Sequence, residues 1–168
     1  FVGNLGFDGD NGGLAFDENT NTLYFTEQNT DLLYTINTAT GSPSSVGALG
    51  FDEVGGLAFD STTNTLYGAD SATNQLVTIN TATGAASAVG GFGVTTIRPG
   101  LAFDVSSGTL YMVDNSTDIL HTINTSTGVA SVVGSLNTTG MSGAAIEQVF
   151  VSDISAGNNT VTVNGTVA

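Results

Sequence analysis

The stretch Gly12–Gly47, GGLAFDENTNTLYFTEQNTDLLYTINTATGSPSSVG, is written out twice more in this chain. It returns at Gly55–Gly90 as GGLAFDSTTNTLYGADSATNQLVTINTATGAASAVG and at Pro99–Gly134 as PGLAFDVSSGTLYMVDNSTDILHTINTSTGVASVVG. A shrunken fourth copy starts at Ser142-Gly143-Ala144-Ala145-Ile146-Glu147. Leu14, Leu57 and Leu101 mark a period of about 43 residues. A repeat of that length is one supersecondary unit that cannot bury its apolar face alone, so neighbouring copies must stack.

Each copy reads as four short strands. In the first, Leu14-Ala15-Phe16 is closed by Asp17, and Thr22-Leu23-Tyr24-Phe25 follows the polar turn Glu18–Asn21. Leu32–Ile36 follows Gln28–Asp31, and Ser44-Ser45-Val46 follows Thr38-Ala39-Thr40-Gly41. The runs are β-branched or aromatic and are bounded by Gly, Asn, Asp and Thr, the signature of strands and hairpins. The Thr-X-Thr-Gly loop recurs at Thr81–Gly84 and Thr125–Gly128, and its Gly supplies the left-handed residue of a bulged turn. No window carries a helical period or helix caps. Four antiparallel strands per repeat is the arithmetic of a β-propeller blade; a β-solenoid has shorter coils and lacks this hairpin punctuation. The expected fold is all-β, with blades at 12–47, 55–90 and 99–134 and a partial fourth from 142.

The ends carry fragments of the pattern. Phe1–Phe7 aligns with Ser45–Phe51, the close of an outermost strand and the link to the next blade. Gly143–Glu147 copies an innermost strand, and Val149–Ser152 and Thr160–Val163 give two further strand-like runs. Residues 1–147 therefore read as propeller repeats, and 148–168 as strands that complete a blade or are donated to a neighbour by β-augmentation. Three completions follow: a four-bladed ring closed by the two termini, two chains combining into eight blades, or a segment of a larger propeller. Closure removes exposed strand edges. The expected assembly residues are Phe1, Val2, Leu5, Phe7, Val149, Phe150, Val151, Val161 and Val163.

Gly-Leu-Ala-Phe-Asp, a turn, then Thr-Leu-Tyr with Asp70 or Asp114 shortly beyond, resembles the repeats of the NHL and YWTD propeller superfamily. More closely, the chain is similar to Thr/Asn-rich propeller repeats of secreted bacterial proteins. The resemblance covers residues 12–134 and implies the blade fold. That superfamily spans lactonases, lyases and receptor modules, so no single activity carries over. Lactonase-type relatives hold calcium in the central channel with Glu, Asn and Asp from separate blades, and this sequence has no identifiable match to those ligands.

Charge narrows the partners. Fifteen Asp and Glu stand against one Arg and no Lys, for a net charge of −14. Nucleic-acid affinity comes chiefly from Lys and Arg on phosphates, so DNA and RNA are disfavoured, as are anionic membrane surfaces. Only 10% of residues are charged, well below the usual quarter, and the polar surface is built from Thr, Asn, Ser and Gly. Arg98 is followed by Pro99, which blocks the one tryptic site. That resistance, with Asn-X-Ser/Thr acceptors at Asn115, Asn124, Asn137, Asn158 and Asn164, fits an extracellular or cell-surface setting. There is no Cys, hence no disulfide framework or thiol chemistry. The apolar runs are too short to span a membrane.

Several residues compete for a functional role. Asp17, Asp60 and Asp104 share one repeat position. They could ring the channel with carboxylates for a hard cation, but a residue present in every blade serves the blade, and Asp habitually accepts N–H bonds in the turn that follows it. Asp8, Asp10, Asp52 and Glu53 lie in equivalent inter-blade loops and are the calcium candidates. Asp8–Gly13 resembles the start of a calcium loop, yet Asn19 stands where the bidentate Glu belongs. His121, the one histidine, reads as a surface or half-buried strand residue. Arg98 falls by register beside Asp8 and Asp52, and Glu147 inherits the turn-capping role. Tyr24, Tyr67 and Tyr111, like Phe16, Phe59 and Phe103, read as packing between adjacent blades. Phe7, Phe51 and Phe92 occupy the connecting loops.

An enzyme needs a convergent set of acids, bases, nucleophiles or metals, and none is singled out. The expectation is a non-catalytic extracellular structural protein, a propeller subunit that self-assembles by strand complementation into a fibre, surface layer or matrix. A binding module for glycan or protein, presenting the repeat-breaking loops Phe92–Pro99 and Leu136–Met141, is the alternative. A calcium-dependent hydrolase or lyase is the third reading.

Overall fold

The computed structural model describes residues 12–136. Twelve strands form three four-stranded antiparallel sheets, each meandering from one strand to the next in sequence. The first holds β1 (Leu14–Asp17), β2 (Thr22–Glu27), β3 (Leu32–Ile36) and β4 (Pro43–Ala48). The second holds β5 (Val54–Asp60), β6 (Thr65–Asp70), β7 (Gln75–Ile79) and β8 (Ala86–Gly91). The third holds β9 (Gly100–Asp104), β10 (Thr109–Asp114), β11 (Ile119–Ile123) and β12 (Ala130–Ser135). Twelve strands in this order fit three propeller blades, with β1, β5 and β9 at the inner edges. Register slips by a bulge between Leu33 and Tyr34, Leu76 and Val77, and Leu120 and His121, so the outer hairpin of every blade bends at the same place.

Each blade has three turns built to one recipe. An Asp, Glu or Asn opens the turn and accepts hydrogen bonds from residues two and three further on, and a residue with positive φ closes it. Asp17 Oδ1 accepts the N–H of Asn19 at 2.8 Å, and Asp17 Oδ2 accepts the Thr20 hydroxyl at 2.5 Å; Asn21 closes at φ 57°. Asn37, Asn80 and Asn124 open the Thr-X-Thr-Gly loops, each Oδ1 accepting two backbone N–H groups. Gly41, Gly84 and Gly128 close those loops at φ 75°, 81° and 78°, the left-handed conformation expected of them. Short polar side chains satisfy turn backbone locally, which is why Thr, Asn, Ser and Asp dominate here.

Adjacent blades meet through a joint that is repeated. Leu33, Leu49, Val54, Leu57, Leu66 and Val77 are buried between the first and second sheets. Leu76, Phe92, Leu101, Leu110 and Met112 do the same between the second and third. Tyr24 stacks on Phe59 with ring centroids 6.4 Å apart, and Tyr67 on Phe103 at 6.1 Å. The Ala86 N–H bonds Leu49 O, and the Ala130 N–H bonds Phe92 O, both at 2.9 Å. Burying each large apolar side chain stabilises by about 1.5–3 kcal/mol, so the joints hold the stack together.

Two features depart from the sequence reading. His121 is 4% exposed, neither surface nor half-buried. It sits across from Met112 on the face that packs against the second blade, at the position where Val77 is wholly buried. Phe16 is not packed between blades: it is 45% exposed, whereas Phe59 and Phe103 each meet a tyrosine of the blade before. The fourth blade, and the expected terminal strands, lie outside the described residues.

Candidate functional site

The acids at the ends of β1, β5 and β9 turn into their own hairpins. Asp60 receives the Thr62 and Thr63 hydroxyls at 2.6 Å each, and Asp104 those of Ser106 and Ser107 at 2.6 Å each. Burial pushes the Asp60 carboxyl up, but the hydroxyl and N–H donors outweigh it and hold it below the ordinary carboxylate range. The hydroxyls of Ser106 and Ser107 lower Asp104 likewise. Carboxylates engaged this way cap turns.

A second tier of acids closes β2, β6 and β10. Glu27, Asp70 and Asp114 are 2%, 1% and 2% exposed. Glu27 accepts the N–H groups of Asn29 and Thr30 at 3.0 and 2.8 Å, Asp70 the Ala72 N–H and the Thr73 hydroxyl, and Asp114 the hydroxyls of Ser116 and Thr117. Burial raises Glu27 and Asp114, and these donors more than compensate, so both carboxyls are lowered. Asp114 also accepts the Ile97 N–H at 2.9 Å, tying the loop before the blade to its second hairpin. Sequence reasoning quoted Asp70 and Asp114 as motif residues and passed over Glu27. The signal was an acid two or three residues before Ser, Thr or Asn at one position of every copy.

The loop face between the first two blades gathers further polar groups. Asp31, Asn74 and Asp118 close the second turn of each blade at φ 53°, 56° and 53°. Asp31 accepts the Glu53 N–H; burial first, then the neighbouring charge of Asp52, raises its carboxyl, and its buried Oδ1 has no hydrogen-bond partner. Asn74 does the equivalent work on the next loop, accepting the Thr96 N–H at 2.5 Å and hydroxyl at 3.2 Å. Gln28, Glu53, Ser71, Thr96, Ile97 and Arg98 line a cavity of about 300 Å³ here, so Arg98 shares its surroundings with Glu53 rather than Asp52. Of the calcium candidates, Asp52 and Glu53 are exposed, the Glu53 carboxylate accepting the Ser71 hydroxyl at 3.1 Å. Asp8 and Asp10 lie outside the described residues. Among the described residues, no group of three or more His, Cys, Asp or Glu is placed to hold a metal ion. The assembly candidates Phe1, Val2, Leu5, Phe7, Val149, Phe150, Val151, Val161 and Val163 also lie outside them, as does Glu147.

Beside the first and third turns of the first blade, Asn21, Thr22, Thr35, Ile36, Asn37, Thr38 and Ser44 line a polar groove of about 440 Å³. Leu14 and Phe16, which share the other face of the blade with Leu23 by register, are 58% and 45% exposed. On the opposite flank of the stack, Val133 is 55% exposed. No helix among the described residues is long and apolar enough to cross a membrane.

Solved propeller-like structures match this arrangement. The nidogen/laminin complex superposes with a TM-score of 0.63 at 21% identity, covering 78% of this chain and 50% of that one. A Bacteroides thetaiotaomicron protein of unknown function gives 0.62 at 22%, covering 76% and 33%. Virginiamycin B lyase from Staphylococcus aureus gives 0.53 at 18%, covering 79% and 43%. At these identities the likeness shows the fold alone, and the chain spans half or less of each matched chain. No curated protein matches the sequence. A model for a repeat of unknown function, DUF6923, matches residues 4–146, and the chain belongs to that repeat family.

Proposed function

We propose that this chain is a non-catalytic extracellular structural protein, a propeller module whose work is to associate through its blades. The observation that carries the reading is the pair of uncovered apolar flanks. Leu14, Phe16 and Val133 are all more than 40% exposed, at positions that elsewhere in the chain are packed between blades. The acids support it from the other side: the hairpin carboxylates are engaged by donors of their own turns, which leaves them caps rather than acids, bases or ligands. The blocked tryptic site and the lack of Lys suit life outside the cell. Sedimentation velocity across a hundredfold concentration range tests the reading. Particles larger than the 16.9 kDa chain are expected, and a single 16.9 kDa species throughout would end it.

A binding role has one specific observation in its favour. The loop 92–99 breaks the repeat, exposes Ile97 to 56%, and borders the cavity that holds Arg98. Retention on immobilised glycan or protein that is lost in Ile97→Ser would favour it over association.

A further inference from the structure

The chain's one arginine and one of its glutamates line the same cavity without pairing. Gln28 and Ser71 start the β2–β3 and β6–β7 turns, while Glu53, Thr96, Ile97 and Arg98 belong to the linkers that enter β5 and β9. All six are described residues, and together they line about 300 Å³ at one end of the stack. Small-molecule sites begin at about that size.

The walls are held in place by the neighbouring blades. Asp31 of the first blade accepts the Glu53 N–H. The Ser71 N–H and hydroxyl of the second blade both donate to Glu53 O at 3.2 Å, and the same hydroxyl reaches the Glu53 carboxylate at 3.1 Å. The other linker is tied likewise, through the Thr96 N–H to Asn74 and the Ile97 N–H to Asp114. A cavity fixed from both sides loses little freedom when it is filled.

Two features set its charged residues apart. Among the described residues, non-glycine positive φ falls on Asn21, Asp31, Asn64, Asn74 and Asp118, short polar residues that visit this region readily. The exceptions are Glu53 at 58° and Arg98 at 51°, long charged side chains for which that backbone is costly. Both line the cavity, yet among the described residues Arg98 makes no ion pair or hydrogen bond. Glu27, Asp52 and Glu53 act together on Asp31, so negative potential gathers at the Glu53 wall and the cation stands at the Arg98 wall. A plain anion meets those acids and a chain of net −14. A metal ion meets the guanidinium, and no trio of acidic or imidazole ligands awaits it among the described residues. A molecule carrying both charges satisfies both walls. Ile97, 56% exposed, adds an aliphatic surface between them.

We propose that this cavity binds a free α-amino acid with an aliphatic side chain. The Arg98 guanidinium takes the carboxylate through its two-donor fork, Glu53 takes the ammonium, and Ile97 packs on the side chain. The inference is independent of the associating role, and it gives a ligand class to the binding reading of loop 92–99, on which it rests.

The test is titration calorimetry of the full chain at about pH 6.5, where both ends of the probe and both side chains are charged. L-Leucine is the probe; 4-methylpentanoate and isoamylamine each carry one of its two charges. Saturable binding of leucine is expected, with each half-probe at least tenfold weaker. Arg98→Gln and Glu53→Gln change exposed side chains, should keep the parent's circular dichroism, and are expected to weaken leucine at least tenfold. Asp52→Asn, a nearby exposed acid outside the cavity lining, should leave it within twofold. No saturable heat with leucine overturns the proposal, as does 4-methylpentanoate binding as tightly as leucine. Equal weakening by Asp52→Asn and Glu53→Gln also overturns it, since bulk charge would then be acting. If leucine fails while Ile97→Ser still abolishes retention on immobilised glycan or protein, the amino-acid assignment falls and the binding loop stands.

Discussion

Asn74 closes the second turn of its blade and also holds the next linker, its Oδ1 accepting the Thr96 N–H. In the first blade Asp31 performs the same task on Glu53. The amide does this neutrally; the carboxylate does it among Asp52, Glu27 and Glu53.

Exchanging one repeat's solution for the other's should therefore stabilise the fold. Asp31→Asn keeps an acceptor for the Glu53 N–H and tolerates φ 53°, since Asn visits the left-handed region readily. Because the folded carboxyl is raised, its stabilising protonated form is complete at low pH and lost as pH rises through that raised value. The variant should gain about 0.5–1 kcal/mol at pH 7 and little at pH 3, read from urea unfolding at both values.

The engaged carboxylates impose the opposite slope. Glu27, Asp60 and Asp114 are lowered, so their contribution is present above the ordinary carboxylate range and lost as pH falls through their lowered values. With Asp104, lowered likewise, such groups outnumber Asp31. Melting temperature should be flat from pH 8 to about 5 and fall steeply below about 4, as followed by circular dichroism. Asp114→Ala, which strands the Ile97 N–H, should cost about 1–3 kcal/mol.

Gly128 separates conformation from contact. It lies at φ 78°, and a Cβ there would stand 2.1 Å from Gly90 O. Gly93 has φ 75° with nothing within 4 Å. Gly93→Ala should cost about 1–2 kcal/mol for the left-handed backbone alone. Gly128→Ala adds the collision between blades and should cost at least twice as much, measured by the same unfolding curves.

His121 offers a gain. Its Nδ1 is buried without a partner, a situation that costs about 1–3 kcal/mol. His121→Val restores the side chain of the second blade. The expected rise is about 1–2 kcal/mol, and an unchanged or lower midpoint in urea would contradict it.

Strand positions, the Thr-X-Thr-Gly turns and the aromatic joints were legible because each is local or repeated. Leu14-Ala15-Phe16 and Thr22-Leu23-Tyr24 announce strands by composition, and Gly41, Gly84 and Gly128 announce their φ. What escaped was relational. Burial of His121 depends on the neighbouring blade at its face, and the mixture Tyr34, Val77, His121 along one position conceals that face; Val77 was the clue. Exposure of Phe16 depends on what stands beside the first blade, which no pattern within the repeat encodes. The Asp31 and Asn74 contacts join a turn to a linker many residues away, and no periodicity encodes them.

The turns of this protein answer anions with dipoles. Asp17, Asp60 and Asp104 are met by hydroxyls and amides of their own hairpins. Hairpins wired this way owe little to ion pairs that salt would screen.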